Sequence, residues 1–268
     1  MSPQDLSAYV SKKRSYLCVG LDTDIRKIPT HLLNSPEPVF EFNRQIVEAT
    51  SPYAVAYKLN IAFYEAMGTK GWTSLAKTLE IIPKEMLVIA DAKRADIGNT
   101  SKLYARTFFE TFDFDAITVA PYMGEDSVTP FLSFKDKWVF LLALTSNPGA
   151  LDFQYHQDGG ELLYQRVIRV SQSWKPQFLA NLGYVLGATR GEQLADVRKQ
   201  VPNAWLLVPG VGAQGGDLHK VCKIGATPQG GLLINSSRSI IYASQDTDFA
   251  AQAGKVAKQF QTEMASYF

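Results

Sequence analysis

Residues 86–96 read MLVIADAKRAD, an apolar run that stops abruptly at Asp91, Lys93 and Arg94, with Asp96 close behind. The run has strand length and lacks polar–apolar alternation, the mark of a strand covered on both faces, as in a parallel sheet. Residues two apart on a strand share a face, so Asp91 and Lys93 are expected to point together into whatever opens at the strand's end. There, each lowers the free-energy cost of the other's ionisation. The same spacing also fits a solvated strand-end ion pair, which is worth little.

Working outward, runs of the same kind recur at Tyr16–Leu21, Ala54–Leu59, Ala116–Ala120, Trp138–Leu144, Phe178–Leu186, Trp205–Val208 and Gly231–Ile234. Helical stretches lie between them, among them Val39–Ala49, Ala62–Ile81, Thr100–Phe112, Glu161–Ser173 and Gly191–Lys199, and Phe249–Tyr267 closes the chain. Eight strands alternating with helices predict an α/β fold, a (β/α)8 TIM barrel forming a single domain over residues 1–268. Two stretches fit least well. Pro121–Lys137 has room for a short helix only. The Gly-, Asp- and Gln-rich loop Asn147–Gly160 exceeds the usual connection length and reads as either an active-site lid or a surface insertion.

Polar residues gather where the strands end: Asp22, then Lys58 and Asn60, Asp91 and Lys93, Thr145 to Asn147, Gln214, and Asn235 to Arg238. Barrel enzymes place their sites on that one rim. No G-x-G-x-x-G follows the first strand and no G-x-x-x-x-G-K-[ST] occurs, so the nucleotide-cofactor folds lack their sequence support.

The chain has 268 residues, 46% hydrophobic and 20% charged, with a formal net charge of +1. That balance predicts neither a nucleic-acid nor an anionic-membrane surface, yet a few local cations suffice for a small anionic ligand. The N-terminal stretch lacks the apolar run of a signal peptide, and no segment reaches the roughly 18 apolar residues of a membrane span. Cys18 and Cys222 form no disulfide framework and no metal-ligand spacing, so they read as buried, inert thiols of a soluble, cytoplasmic protein.

Two further segments carry candidate chemistry. In AYKLNIAFYE (56–65), Lys58 interrupts an apolar strand and Asn60 follows two residues later. A lysine there is costly to bury unless a carboxylate such as Asp22 or Asp91 meets it, or unless it snorkels to the rim. The glycine-rich LLVPGVGAQGGD (206–217) and LLINSSRSI (232–240) follow the last two strands, where barrels often cradle phosphate; Arg238 would add a bidentate grip. Ordinary tight turns are the plainer reading of both. His31, His156 and His219 show no zinc-ligand spacing, and Ser146 and Ser236 lack a G-x-S-x-G elbow. Phe108, Phe109, Phe112 and Phe114 read as core.

The ordered blocks LDTD, KLN, DAKRADIGNT, TSNPG, PGVGAQGGD and SSRSI resemble the orotidine 5'-monophosphate decarboxylase family over nearly the full chain. Ala95 and Asn99 depart from the Gly and Ser usual in its longer bacterial branch, and neither change removes a charge. The resemblance implies decarboxylation of orotidine 5'-monophosphate to UMP in pyrimidine synthesis, with no metal or organic cofactor. It implies that Asp22 and Lys58 hold the ribose, and that Lys58 completes a charged array with Asp91 and Lys93. Lys93 would protonate C6 of the pyrimidine. Asn60 joins the substrate-binding set, Ser146 and Pro209 the base pocket, and Gln214, Arg238 and the backbone of Ser237 the phosphate site. Asp96 and Thr100 would reach the substrate of a neighbouring subunit, making a homodimer with shared active sites. Two alternatives remain: a Mg-dependent sugar-phosphate decarboxylase or aldolase of the same suprafamily, and a non-catalytic nucleotide-binding barrel. The first would need an extra acidic metal ligand early in the chain, where this sequence offers Lys58.

Overall fold

The computed structural model describes residues 1–174, 179–187, 191–211 and 217–268. Its main sheet runs through β1 (Leu17–Gly20), β2 (Ala56–Asn60), β3 (Leu87–Arg94), β4 (Ala116–Val119) and β5 (Trp138–Leu144). A short antiparallel pair, β6 (Gln157–Asp158) and β7 (Glu161–Leu162), interrupts the series before β8 (Asn181–Leu186), β9 (Leu206–Pro209) and β10 (Leu232–Ser236). The eight long strands pair in parallel in the cyclic order β1-β2-β3-β4-β5-β8-β9-β10, and β10 returns to β1 to close the barrel.

The absence of alternation has its expected cause: every residue of β1 and β4 is buried, because helices cover the outside while side chains fill the inside. All eight predicted strands exist. β3 extends beyond its apolar run to include Asp91, Ala92, Lys93 and Arg94, and β10 continues through Asn235 and Ser236. The predicted strand start at Phe178 lies outside the described residues.

The helices differ more. The single helix expected over Ala62–Ile81 is two, Ile61–Glu65 and Thr69–Ile81. Gly68 separates them at φ +60, a conformation that periodicity alone does not reveal and that a side chain would resist. Thr100–Phe112 begins earlier, at Gly98, and loosens into a π-helical turn at Thr107–Thr111. Glu161 belongs to the short pair, so the next helix starts at Leu163. The Asn147–Gly160 stretch holds a helical turn at Ala150–Phe153 and one arm of that pair. Gln154 ties it back to Thr145, accepting from the Thr145 amide at 2.8 Å.

Phe108, Phe109 and Phe114 are buried, and Phe112 packs against the core. Cys18 and Cys222 are free and buried, and burial pushes both thiols up to about 12. Among the described residues, no helix is long and apolar enough to cross a membrane.

Candidate active site

Adjacent strands deliver the central groups. Register pairs Gly20 of β1 with Lys58 of β2, and Asn60 of β2 with Asp91 of β3, so three strand ends meet at one point of the rim. Asp91 sits between two ammonium groups: its Oδ2 is 2.7 Å from Lys58 Nζ and its Oδ1 is 2.6 Å from Lys93 Nζ. Asp22 Oδ1 lies 3.6 Å from Lys58 Nζ, close enough for attraction but beyond a hydrogen bond. That buried oxygen has no hydrogen-bond partner among the described residues.

The array is graded from core to solvent. The Lys58 side chain is 4% exposed and that of Lys93 is 51% exposed. Burial alone pushes the Lys58 ammonium down, but Asp22 and Asp91 outweigh it and hold the group well above the usual lysine range. Burial likewise pushes the Asp91 carboxyl up, and Lys58 and Lys93 reverse this, leaving it well below the usual carboxylate range. Both groups are therefore fixed charges at neutral pH.

Asp91 and Lys93 meet as expected, but not through regular strand alternation. Ala90 pairs with Ile117 and Arg94 with Val119, so three residues of β3 stand opposite Thr118 alone. Within this bulge Lys93 takes φ +46, a left-handed conformation rare outside glycine. The Lys93 amide donates to Thr118 Oγ1 at 3.0 Å, and the same hydroxyl donates to Asp91 Oδ1 at 3.1 Å. Beside the bulge, the Arg94 guanidinium donates to the Ala92 carbonyl at 3.1 Å and pairs with Glu65. It also lies over the rings of Tyr104 and Phe108.

Asp22 is positioned through its backbone. Tyr242 donates to the Asp22 carbonyl at 3.2 Å and accepts from the Asp24 amide at 2.8 Å. Tyr64 donates to the Leu21 carbonyl at 3.0 Å, and buried Asn43 joins Tyr64, Thr23 and Thr78 in one network beneath the loop. Every member of that network is buried and bonded, as a rigid support requires.

The remaining expected site residues divide. Asn60 is an N-cap: its side-chain oxygen accepts from the Ala62 amide at 3.3 Å. Arg238 is exposed beside the Ser237 turn, and a cavity of about 250 Å3 opens between it, Asp22, Asp24, Lys27, Phe63 and Tyr242. Pro209 ends β9 opposite Asn235. Ser146 follows β5 and packs against Gly187, where any Cβ would come within 2.9 Å of the Ser146 nitrogen. Gln214 lies outside the described residues. Asp96 and Thr100 do not join the array; Asp96 accepts from the Ile97 amide at 2.8 Å and pairs with no cation among the described residues. Thr100 is exposed in the first turn of Gly98–Arg106.

Thr118, Asn43 and Gly187 were not singled out from the sequence. Only Thr118 left a trace, as the lone polar residue of an otherwise apolar strand. Among the described residues, no three His, Cys, Asp or Glu side chains gather in metal-ligand geometry. A larger cavity, about 930 Å3, lies at the opposite end of the barrel beside Trp138, Asn181 and Trp205. None of its described lining residues is ionisable, whereas the rim gathers Asp22, Lys58, Asp91 and Lys93.

Comparison with known proteins identifies relatives of the whole chain. The family described as Orotidine 5'-phosphate decarboxylase / HUMPS family matches residues 15–253. The chain is 56% identical to a Phocaeicola vulgatus protein named orotidine 5'-phosphate decarboxylase, over 98% of each chain. It is 58% identical to the Christiangramia forsetii protein of the same name, over 99% of this chain and 98% of that one. Among solved structures, Leishmania donovani OMP decarboxylase superposes with a TM-score of 0.83 at 35% identity, covering 99% of this chain and 100% of that one. Leishmania donovani UMP synthase gives 0.85 at 38% identity, with 98% of this chain spanning 57% of that one.

Proposed function

The chain belongs to the orotidine 5'-phosphate decarboxylase / HUMPS family, and on that premise we propose that its charged rim decarboxylates orotidine 5'-monophosphate to uridine 5'-monophosphate, with Lys93 as the proton donor. The observation that carries this reading is the Asp91 carboxylate held between the ammonium groups of Lys58 and Lys93. Loss of CO2 from C6 leaves an electron pair in the ring plane, where the π system cannot delocalise it. A fixed positive charge beside C6 must stabilise that pair, and a preorganised ammonium does so without reorganisation. Lys93 then delivers a proton to C6 in place of CO2. Asp91 orients Lys93, and its charge beside the substrate carboxylate adds a secondary push towards departure.

The rest of the rim serves binding. Asp22 Oδ1, without a hydrogen bond among the described residues, keeps its acceptor capacity for a ribose hydroxyl, and Lys58 reaches the same region. Ser146 and Pro209 flank the base. Arg238, the Ser237 backbone and Gln214 take the phosphate, whose binding far from C6 supplies energy for closing the site. The stretch Asn147–Gly160 serves as a lid, with the exposed side chains of Leu151 and Phe153 on its outer turn.

Asp96 and Thr100 act in the neighbouring subunit of a homodimer. Exposed Ile97, Leu103, Tyr122 and Met123 support this, because they lie on the two adjacent rim segments that follow β3 and β4. Ser101 bonds the Ser127 carbonyl at 2.8 Å and joins those segments into one surface. Residues 1–268 form one catalytic domain of a cytoplasmic enzyme, consistent with its two buried free thiols.

The purified protein is expected to consume orotidine monophosphate, followed by its absorbance, at an undiminished rate in EDTA. No consumption overturns the reading. Activity abolished by EDTA and restored by magnesium favours the metal-dependent branch of the suprafamily instead.

A further inference from the structure

We infer that Thr118 is a positioning residue for Lys93, acting through the backbone of the bulge and through Asp91. The inference rests on the decarboxylase reading and adds to it a residue on β4 that touches neither the reacting carbon nor the phosphate.

The register makes the case. Between the pairs Ala90/Ile117 and Arg94/Val119, β3 contributes Asp91, Ala92 and Lys93 while β4 contributes Thr118. Extra residues in a bulge lose their ladder partners, and their amides need another acceptor. Thr118 Oγ1 is that acceptor for Lys93, at 3.0 Å. A hydroxyl has one proton to donate, and Thr118 directs it to Asp91 Oδ1 at 3.1 Å. That oxygen also receives the Lys93 ammonium at 2.6 Å. One hydroxyl thus closes a ring from the Lys93 amide, through the Asp91 carboxylate, to the Lys93 side-chain nitrogen.

Each link constrains a different degree of freedom. The amide bond holds Lys93 at φ +46, which a residue with a side chain does not keep unless its surroundings impose it. The carboxylate bond fixes which Asp91 oxygen faces Lys93, leaving Oδ2 for Lys58. Thr118 is 1% exposed, so no water competes for its hydroxyl. Its two bonds use one donor and one acceptor, the number needed to bridge the pair. Lys93 itself is half exposed, so without this support the ammonium would sample positions away from C6.

The test compares Thr118→Val, which removes the hydroxyl at nearly constant shape, with Thr118→Ser, which keeps it. Thr118→Val is expected to lower kcat by about 100-fold, the scale of a misplaced reacting group, while KM changes by less than about threefold. Thr118→Ser is expected to recover to within about threefold of the parent. Hydrogen exchange at the Lys93 amide should quicken in Thr118→Val, with the amides of Ile117 and Val119 unchanged. If valine prevents folding, Thr118→Ala removes the same hydroxyl without added bulk and carries the comparison. Parent-like kcat in a folded variant lacking the hydroxyl overturns the inference, and so does a folded Thr118→Ser as impaired as Thr118→Val. A parent protein that fails to turn over orotidine monophosphate fails the decarboxylase reading instead, so the two failures are distinguishable.

Discussion

Lys58 and Arg198 are cations drawn back from solvent at opposite ends of the barrel, and they are held in different ways. Lys58, on the catalytic rim, faces two carboxylates, Asp22 and Asp91. Arg198, on the far side, pairs with no carboxylate among the described residues. Its guanidinium donates to the carbonyls of Ala204 and Gly225 at 2.7 Å, Gly231 at 3.0 Å and Val201 at 3.1 Å. The pKa directions follow. Lys58 is held above its usual range against its burial, whereas burial alone brings Arg198 down to about 10. Carbonyl dipoles can seat a cation and staple loops together, but they leave no opposite charge to be shared. A carboxylate between two ammoniums creates a field that a substrate can enter. The far end is built to hold the chain, and the rim is built to hold charge in place.

The sharpest test of that contrast removes a rim cation that the fold does not need. Lys93→Ala leaves Asp91 bonded to Lys58 and Thr118, so stability should change by less than about 1 kcal/mol in urea unfolding. Turnover should fall by at least about 1,000-fold, the scale of losing a preorganised charge at the reacting centre. Retained turnover breaks the catalytic half of the comparison. If the proposed dimer shares its sites, mixing Lys93→Ala chains with Asp96→Ala chains should restore part of the activity, because one site of each hybrid dimer keeps both groups. No recovery after confirmed subunit exchange removes Asp96 from the neighbour's site.

Lys58→Met strikes the same array from below and should reach the fold as well. It leaves Asp22 and Asp91 together without their buried partner, at a cost of about 4 kcal/mol. The pH dependence has a definite sign. Asp91's depressed carboxyl contributes stability that is complete above its unfolded pKa of about 4 and is lost as pH falls towards the folded value. Lys58's raised ammonium contributes stability that is complete below its unfolded pKa of about 10.4 and is lost as pH rises through the folded value. The pair's contribution is therefore level between roughly pH 5 and pH 10. In Lys58→Met the alkaline loss should disappear and the acid loss should shrink, because Asp91's folded pKa moves up towards its unfolded value, as read from urea midpoints on either side of that range. Identical profiles for parent and variant would show that the two charges do not stabilise one another.

Arg198→Met is the matching experiment at the far end, with a smaller expected cost of about 2 to 3 kcal/mol, because partly exposed carbonyls regain water. Turnover per folded molecule should stay within about twofold of the parent. Arg198→Lys should recover little, since a point charge with three donors cannot span loops that a planar fork reaches together. Altered turnover in fully folded Arg198→Met would mean that the far end also shapes the rim.

The same contrast explains what the sequence disclosed. The eight strands were legible because burial on both faces leaves an unbroken apolar run, and Lys58 stood out because it breaks one. Asp91 and Lys93 were legible as a pair, but their route to each other was not. A bulge is a relation between two strands, and Thr118 acquires its meaning only when β4 is aligned with β3. Nothing in the helical stretch Gly191–Lys199 singles out Arg198, since its partners are backbone carbonyls, which every residue has. The break at Gly68 hid inside a sound helical pattern. Charge chemistry written in side chains reads from one dimension; support written in backbone and register does not.

Arg94 lies between the two regimes and gives the smallest of these effects. Like Arg198 it donates to a carbonyl, that of Ala92, and like Lys58 it pairs with a carboxylate, that of Glu65. Glu65 is 39% exposed, so the ion pair is largely screened and the ring contacts with Tyr104 and Phe108 do most of the holding. Glu65→Gln should therefore cost less than about 1 kcal/mol in urea unfolding and leave kcat within about threefold. Raising salt to about 1 M should remove most of that difference, because a partly exposed pair is screened over about 3 Å at that ionic strength. A larger, salt-resistant loss of kcat would place Arg94 with Lys58, as a charge on which the bulge and its lysine depend. A small, salt-sensitive loss of stability alone leaves it on Arg198's side, a cation whose work is to keep the backbone where Lys93 needs it.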